Sequence, residues 1–421
     1  MTNIKLKFIL VGVSLLYIKR IIEKTIKKTS DTFRVLLVTG PRQVGKTTVL
    51  RQVSEPNRTY VSLDDPMIRE LAVNDPVLFL QRYKPPLLID EIQYAPQLLP
   101  YIKINVDNSG KNGEYWLTGS QMFHLMRNVS ESLAGRVGII PLLGLSYNEI
   151  YLQNNGAAFI PDKDVLLSKA ETKGSVQLNE TFNLIFKGSM PALYAGTNIE
   201  REMFFSSYIG TYLQRDVRDL TQVGDELAFL RFLSSVAART AQEVNYADLA
   251  KDTGISAPTA KQWMSILVTS GIVHLIQPYF NNALKRMIKS PKMYFLDTGL
   301  CAYLTKWASP ETLETGAMSG AIFETWVVSE IIKSYYNVGR QAPLYYYRDK
   351  EQREIDLIIE RDNRLHPIEI KKSGSPNKDA IRHFSALNKL GMELGMGGVI
   401  CLSENLLPID KDNWIIPVSL I

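Results

Sequence analysis

One stretch near the start of this chain constrains its fold more than any other, because an apolar run leads there into a glycine-rich segment ending in lysine and threonine. It runs from Arg34 to Leu50 as Arg-Val-Leu-Leu-Val-Thr-Gly-Pro-Arg-Gln-Val-Gly-Lys-Thr-Thr-Val-Leu. Residues 35–38 predict a buried strand and residues 48–51 predict a helix. Between them lies Gly-x-x-x-x-Gly-Lys-Thr, which in this strand–loop–helix context is the P-loop pattern.

A P-loop predicts a binding site for the phosphates of ATP. Glycines let the backbone wrap closely around phosphate oxygens, and the loop N–H groups and the helix N-terminus supply positive potential. We expect Lys46 to reach the β- and γ-phosphates and the Thr47 hydroxyl to ligate Mg²⁺. The nucleotide-binding residues expected in this loop are Gly40, Pro41, Arg42, Gln43, Val44, Gly45, Lys46, Thr47 and Thr48.

A second motif follows farther along the chain, where the apolar run 87–89 ends in Asp90 and Glu91. Two carboxylates at the end of an apolar strand are typical of P-loop ATPases. We expect Asp90 to hold the Mg²⁺ shell together with Thr47, and Glu91 to orient or deprotonate the attacking water. The alternative, a strand that ends in solvated acids, is disfavoured by the P-loop that precedes it.

Two further catalytic candidates belong to the next two strands. Residues 115–118 predict a strand, and Ser120 just beyond it is the preferred contact to the γ-phosphate or the water, with Thr118 and Gln121 as close alternatives. Arg136 precedes an apolar strand. Two interpretations of it stay open: an arginine finger, acting on a neighbouring subunit of a homo-oligomer, or a structural ion pair.

Strands and helices alternate from residue 34 to about residue 151, which predicts an α/β fold with a parallel sheet covered on both faces. Ligands of such sheets bind beyond the carboxyl ends of the strands. We expect all of these motifs to lie at that edge.

Composition adds few constraints. Hydrophobic residues make up 45% of the chain and charged residues 22%, as in soluble globular proteins, and the formal net charge of +5 permits nucleic-acid binding without arguing for it. Cys301, Cys401 and four scattered histidines lack metal-ligand spacing. This disfavours a disulfide scaffold or a zinc site and fits a reducing, cytoplasmic location.

The first residues of the chain need a separate interpretation. Lys5 and Lys7 precede an apolar run, residues 8–18, that resembles a signal-peptide core but is too short to span a membrane and has no small-residue cleavage site. Residues 1–16 are therefore interpreted as an unassigned extension. A membrane anchor is the alternative.

The middle of the chain predicts a linker followed by helices. Residues 156–180 are polar and weakly patterned, within a linker-and-helix segment 156–225, and Glu200 to Leu220 predict one long helix. Residues 226–300 then show the order of a winged helix: two helices, a third helix capped by Ser256, and strands 272–278 and 293–296. A basic wing (Lys285, Arg286, Lys289 and Lys292) is expected to contact DNA phosphates, and a packing or lid role is the alternative.

The last segment, residues 310–421, carries a second constellation of charged side chains. Its pattern predicts a helix containing Glu324, three strands, a helix over 378–390 and a further strand. Asp356 in the second strand is expected to lie beside Glu369 and Lys371, which share one face of the third. Asp356 and Glu369 binding Mg²⁺ beside a lysine, with Glu324 as a further acid, is the chemistry of a metal-dependent nuclease. Asp-x₁₂-Glu-x-Lys is a weak pattern, so an inactive fold is the alternative.

Taken together, these motifs resemble a bacterial and archaeal family of AAA-type ATPases with a C-terminal domain of unknown function. The resemblance covers residue 17 to the C-terminus. It rests on Gly40-Pro-Arg-Gln-Val-Gly-Lys-Thr47, Leu63-Asp-Asp-Pro66, Leu88-Ile-Asp-Glu-Ile-Gln93, Leu117-Thr-Gly-Ser-Gln121, Leu133-Ala-Gly-Arg-Val137 and Tyr212-Leu-Gln-Arg-Asp-Val-Arg-Asp219. It implies ATP and Mg²⁺. The C-terminal part resembles the PD-(D/E)xK nuclease fold, with Ile355 where that pattern has proline.

The sequence therefore predicts an AAA-type parallel-sheet domain over 17–155, a winged helix over 226–300 and an α+β nuclease-like domain over 310–421. We expect an ATPase that couples its nucleotide state to a module acting on nucleic acid, with no membrane partner. Two alternatives stay open: a nucleotide-gated switch with an inactive nuclease fold, and a membrane-tethered ATPase.

Overall fold

The computed structural model describes residues 17–119, 129, 131–153, 156–172, 174, 176–196, 199–213, 226–280 and 290–421. Several positions singled out above lie outside these ranges, namely residues 1–16, Ser120, Gln121, Arg215, Asp219, Lys285, Arg286 and Lys289. Among the described residues, no helix has the length and apolar character needed to cross a membrane.

The first part of the chain forms a parallel sheet of five strands, ordered β2-β3-β4-β1-β5. The strands are β1 (Val35–Thr39), β2 (Thr59–Ser62), β3 (Leu87–Asp90), β4 (Tyr115–Gly119) and β5 (Val137–Pro141). β1, β3 and β4 are buried along their whole length, as their apolar runs predict. β4 lies between β1 and β3, so the end of β4 is adjacent to the ends of both.

Helices accompany this sheet on the chain: Glu23–Thr32, Lys46–Val53, Pro66–Asn74, Pro76–Arg82, Leu98–Ser109 and Tyr147–Ile150. Local signals set where they begin. Asp65 and Asp75 each cap a helix whose first residue is proline, because an aspartate oxygen accepts the free N–H groups and proline lacks one. Ser146 and Glu149 form a reciprocal capping box.

The prediction of a linker over residues 156–180 is wrong for most of this segment. Residues Lys163–Thr172 form a helix, and Leu166 on this helix and Phe159 before it are fully buried. Lys169 donates to the carbonyl of Leu420 at 3.0 Å. The helix is stabilised by contacts with the distant end of the chain. Its own residues carry little amphipathic pattern, so the local sequence does not predict it.

Two more helices, Leu178–Lys187 and Arg201–Tyr208, complete the middle of the chain. One continuous helix is expected from Glu200 to Leu220. In the described residues the α-helix ends at Tyr208 instead, and a π-helical turn, Ile209–Leu213, follows it. In that turn the hydrogen bonds span five residues in place of four.

The next unit has helices Glu226–Ala238, Tyr246–Thr253 and Ala257–Thr269, and strands β6 (Gln242–Glu243), β7 (Val273–Pro278) and β8 (Lys292–Phe295). Ser256 caps the third helix by accepting from the Thr259 N–H at 3.2 Å, as expected. β8 pairs antiparallel with both β6 and β7. Lys292 belongs to β8 and is buried, so its assignment to an exposed basic wing is wrong.

The last unit begins with helices Thr298–Leu304, Pro310–Thr315 and Ser319–Asn337, the last of which is called the long helix below. Its strands are β9 (Leu344–Arg348), β10 (Glu354–Arg361), β11 (Arg364–Lys371), β12 (Glu393–Leu394), β13 (Gly397–Cys401), β14 (Leu407–Pro408) and β15 (Asn413–Pro417). The helix expected over 378–390 consists of two 3₁₀ segments, Lys378–Ile381 and Phe384–Leu390. Serine, histidine and asparagine in this stretch are weak helix formers.

The sheet of this unit crosses the boundary expected between the winged helix and the nuclease-like domain. β7 pairs in parallel with β9 through Gln277 with Tyr345 and Pro278 with Tyr346. The described strands therefore form one sheet of ten, ordered β14-β15-β13-β11-β10-β9-β7-β8-β6 with β12 beside β11. The two expected domains share a backbone hydrogen-bond network.

Candidate nucleotide site and C-terminal carboxylate site

The P-loop occupies the turn between β1 and the helix Lys46–Val53. Gly40 has φ +140°, and a Cβ there would lie 2.0 Å from the carbonyl oxygen of Leu142. Gly45 has φ +90° and precedes the helix. Both positions therefore require glycine. Gly40 has no room for a side chain and has a positive φ, whereas at Gly45 the positive φ alone is the reason.

Lys46 lies inside this turn, with 5% of its surface exposed. Its ammonium donates to the carbonyl oxygens of Gly40 at 3.0 Å and Pro41 at 2.9 Å. The side chain therefore curls back along the loop that a phosphate would enter. A cation held there is placed to neutralise an anion in the loop.

Asp90 at the end of β3 is buried and receives hydrogen bonds from hydroxyl groups on other elements. Thr47 of the P-loop helix donates to it at 2.7 Å and Tyr60 of β2 at 3.1 Å. Thr118 of β4 donates to the same carboxylate. Burial, followed by the charge of Asp90, raises the pKa of Tyr60 to about 12, so this phenol remains a donor.

Glu91 follows in a left-handed backbone conformation, with φ 59° and ψ 49°. Its N–H donates to the Thr118 hydroxyl at 3.0 Å, and its carboxylate accepts from the side chain of Gln93. A non-glycine residue in this conformation costs free energy, and such residues cluster at functional sites. Glu91 and Lys46 line the same cavity.

Two cavities meet at the P-loop. The larger, 690 Å³, is lined by Lys46, Thr47, Asp64 and Glu91 on one side and by the helix Arg201–Tyr208 on the other. The smaller, 330 Å³, has a more apolar lining that includes Tyr17, Ile18, Pro191 and Ala192. Volumes of this size are typical of small-molecule sites. The more apolar cavity therefore lies directly beside the one that contains Lys46 and Glu91.

The structure brings Lys46, Thr47, Asp90 and Glu91 near one another, and part of their support is not predicted by the sequence. Thr118 was only an alternative to Ser120, yet it bonds both Asp90 and Glu91. Tyr60 belongs to none of the motifs described above. These hydroxyls reach Asp90 because β2 and β4 flank β3, and no local pattern of the sequence gives that strand order.

Arg136 is at the opposite edge of the sheet from the P-loop, which corrects the expectation that every motif lies at the carboxyl edge. Val137 pairs with Val35, the first residue of β1, whereas the P-loop follows the last. A five-residue strand spans about 16 Å. Arg136 donates to both carboxylate oxygens of Asp107, at 2.6 and 2.8 Å, so the structural ion pair is present. It is out of reach of the P-loop of its own chain.

A second group of charged residues lies in the C-terminal sheet, where β10 and β11 run antiparallel with Leu357 opposite Ile368. Asp356 accepts from the N–H of Ile370 at 2.9 Å, and Lys371 donates to Glu369 at 2.6 Å. Burial, followed by the charge of Asp356, raises the pKa of Glu369 to about 7. The three expected side chains are therefore brought together.

Glu324 on the long helix joins the same group. Burial, followed by repulsion from Asp356, raises its pKa to about 8. Two residues of β8 also reach it: Tyr294 donates to Glu324 at 2.8 Å, and the Lys292 ammonium lies 3.7 Å from Glu324 and 2.5 Å from Glu354. Neither Lys292 nor Tyr294 was expected here, since they belong to the preceding unit.

Glu369 and Lys371 open onto a cleft of 590 Å³, whose other walls include Lys372, Arg382 and His383. Across the described ranges, no three His, Cys, Asp or Glu side chains are arranged to hold a metal ion. This bears on Glu324, Asp356 and Glu369, which are close enough to repel one another but are not grouped as ligands of a single ion. The carboxylates thus converge, while Glu324 is engaged by Tyr294 and Lys292.

Three family models match the chain. Residues 32–151 match an AAA domain, residues 179–311 match a domain of unknown function (DUF8612), and residues 319–421 match another (DUF4143). The AAA match spans the parallel sheet from just before β1 to the capping box at Ser146. The ATPase part of the expected resemblance is confirmed.

Two curated proteins are similar over most of the chain: uncharacterized protein Rv2008c of Mycobacterium tuberculosis and uncharacterized protein Mb2031c of Mycobacterium bovis. Each is 30% identical over 346 residues, which cover 82% of this chain and 71% of the relative. Among solved structures, the Walker-type ATPase PABY2304 of Pyrococcus abyssi matches at 13% identity with a TM-score of 0.42, covering 67% of this chain and 94% of that one. The chain therefore belongs to the family of these mycobacterial proteins, and with its AAA domain it is a P-loop ATPase.

Proposed function

We propose that the chain binds ATP across the two cavities at the P-loop and couples its hydrolysis to the C-terminal unit. The triphosphate would enter the larger cavity at Lys46, and the adenine would occupy the smaller, more apolar cavity beside Ile18 and Pro191. This assignment is supported by the linings of the two cavities, since the buried ammonium lines the larger one and the smaller one is the more apolar.

The residues around Asp90 fit a magnesium ion. Mg²⁺ prefers oxygen ligands and is usually bound by one or two carboxylates together with substrate phosphates. Thr47 and Asp90 offer a hydroxyl and a carboxylate 2.7 Å apart, and Tyr60 and Thr118 fix the carboxylate. When bound, the metal would neutralise charge on the β- and γ-phosphates.

Glu91 is the proposed base that orients the attacking water. Its backbone N–H is tied to Thr118 and its carboxylate is engaged by Gln93, so the side chain is held at the cavity wall rather than in bulk water. The proposed role of Ser120 as a γ-phosphate contact is retained alongside, although Ser120 lies outside the described residues. Arg136 is proposed to act only on a neighbouring subunit.

The C-terminal unit is proposed to be a winged helix joined to a PD-(D/E)xK-like nuclease fold that acts on nucleic acid in the cytoplasm. The observation that carries this proposal is the convergence of Asp356, Glu369 and Lys371 at the rim of an open cleft. Two carboxylates beside a lysine are the groups that a metal-dependent phosphodiesterase needs. The proposed metal ligands are Asp356 and Glu369.

The winged-helix interpretation is supported by the order of helices and by the pairing of β8 with β6 and β7. Lys261 and Gln262 are exposed on the helix Ala257–Thr269, where a recognition helix would face a groove. The proposed phosphate contacts of the wing are now Lys285, Arg286 and Lys289, without Lys292.

A second candidate function is a nucleotide-gated switch with an inactive nuclease fold. The observation that favours it is the ion pair of Lys292 with Glu354, beside Glu324. A buried ammonium already supplies positive charge to the acidic group, which would make a metal ion unnecessary there.

Metal binding by the full, nucleotide-free chain separates these two candidates. Titration calorimetry with Mn²⁺ should show a site that is lost in Asp356→Asn and kept in Asp379→Asn, which alters an exposed carboxylate of the same cleft. Cleavage of single- and double-stranded DNA should then require Mn²⁺ or Mg²⁺ and Asp356, while ATP turnover persists in both variants. Equal Mn²⁺ uptake by the parent and Asp356→Asn would favour the switch.

A further inference from the structure

Arg20 lies before the first helix and outside the matched AAA domain, yet its side chain reaches the P-loop. It is buried, with 5% of its surface exposed. Its guanidinium donates to the carbonyl oxygen of Val44 in the P-loop at 3.0 Å. It also donates to the carbonyl oxygens of Leu143 at 2.9 Å and Gly144 at 3.2 Å.

Glu149 completes the surroundings of Arg20. The Arg20 Nε atom donates to its Oε1 at 3.0 Å, and the N–H of Ile21 donates to the same oxygen at 2.8 Å. The second carboxylate oxygen accepts from the N–H of Ser146 at 2.8 Å. Both partners of this buried ion pair thus make further hydrogen bonds. These bonds help to offset the free-energy cost of removing the two charges from water.

The segment 142–149 touches the P-loop from one side and the long helix from the other. Leu142 donates to the carbonyl of Thr39, directly before the P-loop, at 2.7 Å, and its own carbonyl lies against Gly40. Farther along, Lys333 donates to the carbonyl of Leu145 at 3.0 Å, and the N–H of Tyr147 donates to Glu330 at 2.7 Å. Glu330 is six residues from Glu324, about 9 Å along the long helix.

We propose that Arg20 is a positioning residue for ATP hydrolysis, which fixes the P-loop at Val44 and ties its position to the long helix through the segment 142–149. The part concerning the long helix rests on the coupling proposed above; the part concerning the P-loop does not. A phosphate bound in the loop contacts the backbone that Arg20 holds. A displacement of the loop is therefore transmitted to Glu149 and Ser146 through the planar guanidinium of Arg20.

The chemistry of the site requires arginine rather than lysine. The guanidinium presents donors in a rigid fork, and here they are directed to three carbonyl groups and one carboxylate. An ammonium is a compact charge that cannot reach this set at once. Arg20→Lys therefore keeps the charge beside Glu149 while losing contacts to the loop.

Arg58 offers a matched control, because its side chain is also buried, with 3% exposed, and lies against the same parallel sheet. It precedes β2, pairs with Glu55 at 2.8 Å and donates to the carbonyl of Gly113 at 2.9 Å. These contacts lie at the amino edge of the sheet, away from the P-loop. Arg58→Lys should lose stability of a similar kind without moving Val44.

The test is ATP turnover at a temperature where circular dichroism shows the parent, Arg20→Lys and Arg58→Lys all folded. We expect Arg20→Lys to raise the KM for ATP and lower kcat/KM by about 10- to 100-fold, the range expected for a misplaced binding group. Arg58→Lys should leave both within about 3-fold of the parent. Equal kinetics in the two variants would overturn the proposal.

Hydrogen exchange tests the coupling separately. Saturation of the parent with a non-hydrolysable ATP analogue should slow amide exchange in residues 142–150 and in the long helix. In Arg20→Lys at saturation, the long helix should show no such change while the P-loop still does. If Arg20→Lys shows the kinetic defect but the analogue does not change exchange in the long helix of the parent, the positioning role is retained and the coupling is refuted. If Arg20→Lys and Arg58→Lys have equal kinetics, the positioning role is refuted, and the nuclease proposal is not affected.

Discussion

Asp90 is fixed by hydroxyl groups from three different elements, and this illustrates how single residues of the site depend on the sheet. Thr47, Tyr60 and Thr118 come from the P-loop helix, β2 and β4. Each is ordinary in sequence, and only the order β2-β3-β4-β1 brings them to one carboxylate. The P-loop could be predicted because its residues are consecutive, whereas this support could not.

Two substitutions distinguish binding from hydrolysis at this site. Lys46→Ala should weaken ATP binding and abolish turnover, because the phosphates lose their nearest buried cation. Glu91→Gln should keep binding and lower kcat by about 10²–10³-fold, since the loop is intact but the group that orients water is gone. Binding of a fluorescent ATP analogue and steady-state phosphate release measure the two effects. Unchanged turnover in Glu91→Gln would remove Glu91 from the mechanism.

At the scale of elements, the helix Lys163–Thr172 shows why a segment with weak periodicity can still be ordered. Its buried residues are Leu166 and Lys169, too few to produce an apolar stripe. What orders it is the remote end of the chain, including the carbonyl of Leu420. Strands β9 to β11, in contrast, each carry enough apolar residues to be predicted alone.

Burial of Lys169 should make stability depend on pH in a defined window. Burial lowers its pKa to about 8. The unfolded ammonium, with its ordinary pKa near 10.4, therefore holds more protons than the folded one between pH 8 and about 10.4, and stability should rise with pH there by up to about 3 kcal/mol. Urea unfolding of the parent and Lys169→Met at pH 7.5 and 9.5 measures this rise as a difference.

Lys163 supplies the control for that measurement, because it is an exposed lysine on the same helix. Lys163→Met should follow the parent at both pH values, whereas Lys169→Met should lack the alkaline gain. The same dependence in Lys169→Met and the parent would show that Lys169 is solvated in the folded state.

At the scale of the whole molecule, the position of Arg136 leaves one route to catalysis. It is partly exposed at the edge of the sheet opposite the P-loop, so it can serve only the site of another subunit. If the chain assembles in this way, mixing Arg136→Ala with Lys46→Ala subunits should restore part of the ATPase activity, because some sites combine an intact P-loop with an intact arginine. Absence of rescue in proven mixed oligomers would assign Arg136 to its ion pair with Asp107.

The C-terminal site was predicted only in part, for a reason that belongs to the whole molecule. Asp356, Glu369 and Lys371 lie within one hairpin, so strand periodicity alone places them together. Lys292 and Tyr294 come from β8, on the far side of the boundary that the sequence suggested. No local pattern connects a strand of one predicted domain with the carboxylates of another.

The pairing of β7 with β9 determines how this protein can be cut into fragments. A fragment that began at residue 310 would expose the edge of β9, a ready template for unwanted strand pairing. It would also lose Lys292, leaving Glu324 and Glu354 without their buried cation. Truncation should therefore begin before β6. The smallest C-terminal fragment suitable for expression therefore contains the whole sheet. Lack of activity in a shorter fragment would reflect a failure to fold and would not test the chemistry of the site.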